Sequence, residues 1–138
     1  MLKNYFEIKV RYTKLTSEGK EKKVSKTYIG NANNFSEAEA KANVEMNNIT
    51  NQLFFIQDIK RSKITEILDA GGDKFFLGTI KTTNIDDKGK KTNTLNSILI
   101  IAESIDHAGA ELHSKTSEFI ADVEIKSIGE SSLIDVWD

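Results

Sequence analysis

Hydrophobic and polar residues alternate through "YFEIKVRYTKL" at positions 5–15. Phe6, Ile8, Val10 and Tyr12 fall on one side; Tyr5, Glu7, Lys9 and Arg11 fall on the other. A period of two predicts a half-buried strand. "TSEGK" follows as a hairpin turn, with Gly19 free to take a positive φ, and "KVSKTYIGNA" returns as a second strand. The spacing then becomes helical, with Ala38, Ala42, Met46 and Ile49 on one stripe. Ser36 is the expected N-cap, Glu39 completes a capping box, and Phe35 stands where a hydrophobic staple belongs. "LFFIQDI" reads as a third, apolar strand and "KITEILD" as a short fourth.

The same order recurs about seventy residues later. With a shift of 70, Tyr5-Phe6 falls on Phe75-Phe76, Val10 on Ile80, Gly19-Lys20 on Gly89-Lys90 and Tyr28-Ile29 on Ile98-Leu99. Ala38 and Ala40 fall on Ala108 and Ala110. Beyond the helix the shift becomes 69, so that Ile56, Ile59 and Ile64 meet Ile125, Ile128 and Leu133. In the second helix Asp106 is the expected cap, and Ala108, Leu112 and Phe119 trace the stripe. Residues 1–70 and 73–138 therefore read as two repeats joined by "AGGDK", whose glycines suit a flexible connector. The fold expected is α+β: a tandem repeat of two β-β-α-β(-β) halves with pseudo-twofold symmetry. Antiparallel sheets would be covered by one helix per half. A lone half of this length would bury too little apolar surface, so the two are expected to share one domain and close their apolar faces on each other.

Composition narrows the class. Of 138 residues, 29% are charged and 38% hydrophobic, as in a soluble globular chain. No apolar run reaches the roughly 20 residues that cross a bilayer, and "MLKNYFEIKV" does not resemble a signal peptide. The expectation is a cytoplasmic protein with no membrane partner. Cysteine is absent, which excludes disulfides, thiolate metal sites and a cysteine nucleophile. Proline is absent too, so no X-Pro isomerisation slows folding.

Charge is uneven along the chain. Residues 1–69 carry 12 Lys+Arg against 9 Asp+Glu, and the remainder carries 7 against 12. The basic excess concentrates in 9–26, with Lys9, Arg11, Lys14, Lys20, Lys22, Lys23 and Lys26 against Glu18 and Glu21. Such a run reads either as an anion-binding face or as a lysine-guarded edge strand.

Catalytic chemistry finds no frame. His107 and His113 are six apart, so they do not share a helix face as zinc-binding histidines would, and solvent-facing positions are expected. No nucleophile elbow supports a serine triad. "EGKEKK" and "DKGKKT" lack the full phosphate-loop spacing. Asp58, Glu66, Asp69, Asp135 and Asp138 are not placed in any one pocket by the pattern. No enzyme, no metal and no cofactor are expected. The suggestive pattern is on the outward strand face, where Tyr5, Lys9, Arg11, Lys26 and Tyr28 offer rings for bases and cations for phosphates. Phe75 and Lys81 stand at the matching places. The alternative is that Tyr5 and Phe75 are core residues of a sheet buried on both faces.

The segments "YFEIKVRY", "GKEKKVSKTY", "FSEAEA", "DIKRSKITEIL" and "LIDVW", in that order, resemble an uncharacterised domain family of gut Bacteroidetes-type bacteria and their phages. The resemblance spans nearly the whole chain. It implies a phage or mobile-element context, in the host cytoplasm, and brings no catalytic residues with it.

The function expected is a non-enzymatic single-stranded nucleic-acid-binding protein. Its candidate binding residues are Tyr5, Lys9, Arg11, Lys20, Lys22, Lys23, Lys26 and Tyr28. The rival expectation is a protein–protein interaction module, an inhibitor of a host factor or a phage assembly component. Exposed strand edges would meet a host or phage protein, or another copy in a homo-oligomer.

Overall fold

The alternation at residues 5–15 becomes β1 (Tyr5–Leu15), and the return strand becomes β2 (Glu21–Asn31). They are followed by α1 (Phe35–Ile49), β3 (Phe54–Arg61) and β4 (Ile64–Asp69). The second run is β5 (Lys74–Ile85), β6 (Lys91–Ala102), α2 (Ile105–Thr116), β7 (Asp122–Glu130) and β8 (Asp135–Trp137). The structure is a computed structural model that describes residues 4–50, 52–118, 122–133 and 135–137. Phe119 and Asp138, named above for the helix stripe and the carboxylates, lie outside the described residues. The class is α+β, with two four-stranded sheets in the orders β3-β1-β2-β8 and β4-β6-β5-β7.

The fourth strands change places. β8, from the end of the second repeat, pairs with β2. β4, from the end of the first repeat, pairs with β6. The compact units are accordingly residues 1–62 with 133–138, and residues 63–132. Both added strands run parallel to their neighbours, so the sheets expected to be antiparallel are mixed. The two exchanges share one register. Asp135, Val136 and Trp137 lie opposite Tyr28, Ile29 and Gly30. Glu66, Ile67 and Leu68 lie opposite Ile98, Leu99 and Ile100, the matching positions of the other unit.

Smaller details also coincide. Both hairpins close with a glycine at positive φ, Gly19 at 77° and Gly89 at 79°. A residue with a Cβ is strained there. The β1–β3 pairing shifts register between Lys9 and Val10, and the β5–β7 pairing shifts between Thr79 and Ile80. The irregularity gives β3 and β7 one extra residue at corresponding points.

Each sheet packs beneath the helix of its own unit. Phe6, Ile8, Val10, Ala38, Ala42, Met46 and Trp137 form one core, and Phe76, Ile80, Ile98, Ile100, Ala108 and Leu112 form the other. Each apolar face is thus covered by its own helix. Ile49, expected on the stripe, is half exposed at the end of α1.

The two cores divide their volume differently. In the first, Gly30 lies beside Trp137, and a Cβ on Gly30 would meet Ile8 Cδ1 at 3.1 Å. In the second, Ile100 replaces the glycine and Leu68 replaces the tryptophan; Gly78 replaces Ile8, and a Cβ there would stand 2.6 Å from Leu112 Cδ2. A large residue in one layer is offset by a small one in the next, as close packing requires.

Four local expectations are corrected. The cap of α1 is Asn34, whose Oδ1 accepts from the Glu37 N–H at 2.8 Å. The cap of α2 is Ser104, whose Oγ accepts from the His107 N–H at 3.1 Å. Both helices therefore begin before the expected Ser36 and Asp106, because asparagine and serine at the earlier sites satisfy the free N–H groups equally well. Phe35, expected as a staple before the cap, is the first helical residue, and its ring meets Phe6 edge-on at 5.0 Å. Finally, "AGGDK" lies inside the second unit, between β4 and β5. It is a tight turn: a Cβ on Gly72 would fall 2.3 Å from the backbone carbon of Ala102.

Candidate nucleic-acid interface

The pairing register sorts the candidate residues onto two faces of the first sheet. Residues directly opposite each other share a face. Lys9 is opposite Thr27, Arg11 opposite Ser25 and Lys23 opposite Thr13, all on the face away from α1. Tyr28 is opposite Ile8 and Lys26 opposite Val10, on the helix-covered face. The outward face therefore does not unite Tyr5, Lys9, Arg11, Lys26 and Tyr28. The run Tyr28-Ile29-Gly30 is buried throughout, so alternation there carries no inside–outside signal.

Both expected stacking rings are inaccessible. Tyr5 is 5% exposed and Tyr28 2%. For Tyr5 the alternative reading, a sheet position buried on its second face too, holds. Tyr28 stacks on Trp137, and burial pushes its phenol pKa up, with Tyr12 and the Asp135 carboxylate adding to the effect. Phe75 is half-buried. The cations fare differently. Lys9, Lys20, Lys22 and Lys23 are exposed, and Arg11 and Lys26 are half-exposed. Lys26 Nζ stands 5.8 Å from the Tyr12 ring centroid. Among the described residues none of these six, nor Lys14, forms an ion pair.

Lys14 and Lys22 lie directly opposite each other near the tip of the hairpin. Like charges in that relation destabilise a ladder. The corresponding pair in the second unit is Asn84 and Thr92. Lys9, Lys23 and Lys26 likewise correspond to Thr79, Asn93 and Asn96. Residues 9–26 hold seven cations against two acids, and residues 79–96 hold four against two. The same hairpin thus forms with or without the extra charge.

In the apolar segment "LFFIQDI", the ring of Phe55 is 55% exposed and lies opposite Arg11 on the face away from the helix. Its counterpart, Glu124, lies opposite Lys81. Ser25 Oγ donates to Gln57 Oε1 at 3.4 Å on the same face. The repeat holds the signal: a phenylalanine aligned with a glutamate does not mark a core position.

An open cleft of about 480 Å³ lies between the start of α1 and β3, with Glu39 and Asp58 on its rim. Two carboxylates give it the wrong sign for a phosphate. His107 Nδ1 accepts from the Glu103 N–H at 3.4 Å, and its Nε2 stands 3.9 Å from Glu111. Among the described residues no three His, Asp or Glu side chains gather as a metal site would need, and no helix is long and apolar enough to cross a membrane.

A family model described as "Domain of unknown function (DUF4494)" matches residues 4–138. The chain belongs to the DUF4494 family. No curated protein and no solved structure matches it at a significant level. The DUF4494 description assigns no activity, so the chemistry of the site rests on the charge and exposure of this chain's own residues.

Proposed function

We propose that the protein binds nucleic acid, without catalysis, through the phosphates it gathers on the β1–β2 hairpin. The observation that carries this reading is the contrast between the two hairpins. The fold is satisfied by Asn84, Thr92, Asn93 and Asn96, so Lys14, Lys22, Lys23 and Lys26 serve something other than folding. An opposed lysine pair gains most from a partner that brings negative charge between its members. Phosphates spaced along a chain are such a partner, and their affinity comes with counterion release.

Edge protection explains the charge less well. The outer half of β6 beyond Ser97 is as uncovered as that of β2, yet it carries Asn96, Leu95 and Thr94. The family resemblance extends the proposal to a role in a phage or other mobile element. The rival reading, a protein module pairing through the outer edges of β3 and β7, has two open ladders in its favour. The register irregularities in both strands count against it, because they interrupt the regular row of groups that a partner strand would meet.

The test is fluorescence polarisation with a labelled single-stranded oligonucleotide over a salt series. Binding at low salt with an affinity that falls linearly against log salt is expected. Absence of binding at low salt, or binding indifferent to salt, overturns the proposal.

A further inference from the structure

We propose that Phe55 is a base-stacking residue and that it makes the site select single strands over duplex; this rests on the nucleic-acid reading above. Phe55 is the aromatic ring that stands open to solvent on the face carrying Lys9, Arg11 and Lys23. Its place in the sheet is fixed: its backbone pairs with Arg11, and the neighbouring Gln57 is bonded to Ser25. A phenyl ring at the strand position opposite an arginine presents a flat apolar surface on the same face as a phosphate-binding cation. That is what an unpaired nucleotide needs, since the base must leave water while its phosphate stays neutralised.

The second unit supplies the internal comparison. There the position opposite Lys81 is Glu124, which places an acid across from the cation. In the first unit the acid is replaced by a ring, and Arg11 is left for an outside anion. Burial does not account for the phenylalanine, because more than half of it is exposed. A duplex keeps its bases stacked on one another and cannot offer one to Phe55 without unpairing.

The experiment compares the full chain with Phe55→Ala, Phe55→Leu and Phe55→Trp on a single-stranded oligonucleotide and on a duplex of equal length. Thermal melts confirm that the variants fold. Phe55→Ala and Phe55→Leu should weaken single-strand binding by about 5- to 150-fold, and Phe55→Trp should keep it. The salt slope should not change, because no charge is removed. Duplex binding should be the same in all four proteins. Unchanged single-strand binding in Phe55→Ala, or an equal loss on duplex, overturns the role of Phe55 and leaves phosphate binding intact. Failure of the unaltered chain to bind either oligonucleotide overturns both.

Discussion

The indole of Trp137 stacks on the ring of Tyr28, with centroids 4.2 Å apart and planes 16° from parallel. Through this contact the last strand of the chain is anchored in the first unit. Gly30 lies opposite Trp137 in the register, and a Cβ on it would crowd Ile8 Cδ1 at 3.1 Å while standing 4.0 Å from the indole.

Trp137→Ala should therefore destabilise the first unit by about 3–5 kcal/mol, as expected for emptying a large buried aromatic site. Denaturant unfolding followed by far-ultraviolet circular dichroism checks this. A decrease below about 1 kcal/mol would mean that β8 does not hold the unit together.

Tyr28 gives stability a pH dependence. Its phenol pKa is raised by burial, so the folded chain keeps the proton at a pH where the unfolded chain releases it. Below the ordinary tyrosine value of about 10 both states are protonated and the stability is fully present. As pH rises beyond that value and through the folded pKa, the stability is lost. Urea midpoints between about pH 8 and 11 should fall more steeply in the natural chain than in Tyr28→Phe. Equal slopes would contradict it.

Capping makes a contrast between neighbouring positions. Asn34→Ala and Ser104→Ala should each cost about 1 kcal/mol, since each side chain satisfies a free helix N–H. Ser36→Ala, inside the first turn of α1, should cost much less. Thermal melts of the three variants decide between the observed cap of α1 and the later one that the capping-box pattern suggests, and check the cap of α2.

Two glycines should respond in opposite directions. Gly72→Ala places a methyl group against the Ala102 backbone and should destabilise the second unit severely. Gly109 lies inside α2 with open space around its missing Cβ, so Gly109→Ala should stabilise by about 0.8–1 kcal/mol. Calorimetric melting temperatures that move the other way would contradict the packing described.

Much of this architecture is legible along the chain because it is local. Alternation from Phe6 to Tyr12 identifies the core face of β1, and Gly19 and Gly89 mark both hairpins. The strand exchange is not legible, because "ITEILD" and "LIDVWD" suit either return strand and strand pairing is not a local property. A size clue exists, since the glycine at position 30 keeps clear of Ile8 in the layer that also holds Trp137, but it can be read only once the register is known. The candidate site is split between two faces for the same reason. Tyr28 sits in a fully buried run where period two is silent, and the register irregularity near Gln57 blurs the alternation that turns Phe55 outward.

The most direct test of the central claim transplants the second hairpin's neutral residues into the first. The variant carries Lys14→Asn, Lys22→Thr, Lys23→Asn and Lys26→Asn, each taken from the corresponding position of β5 or β6. Because the second hairpin folds with those residues, the variant should melt within a few degrees of the natural chain. Its single-strand affinity should fall, and the slope of log affinity against log salt should shrink by about 0.7 for each phosphate no longer neutralised. An affinity and a slope equal to those of the natural chain would contradict phosphate binding by this hairpin.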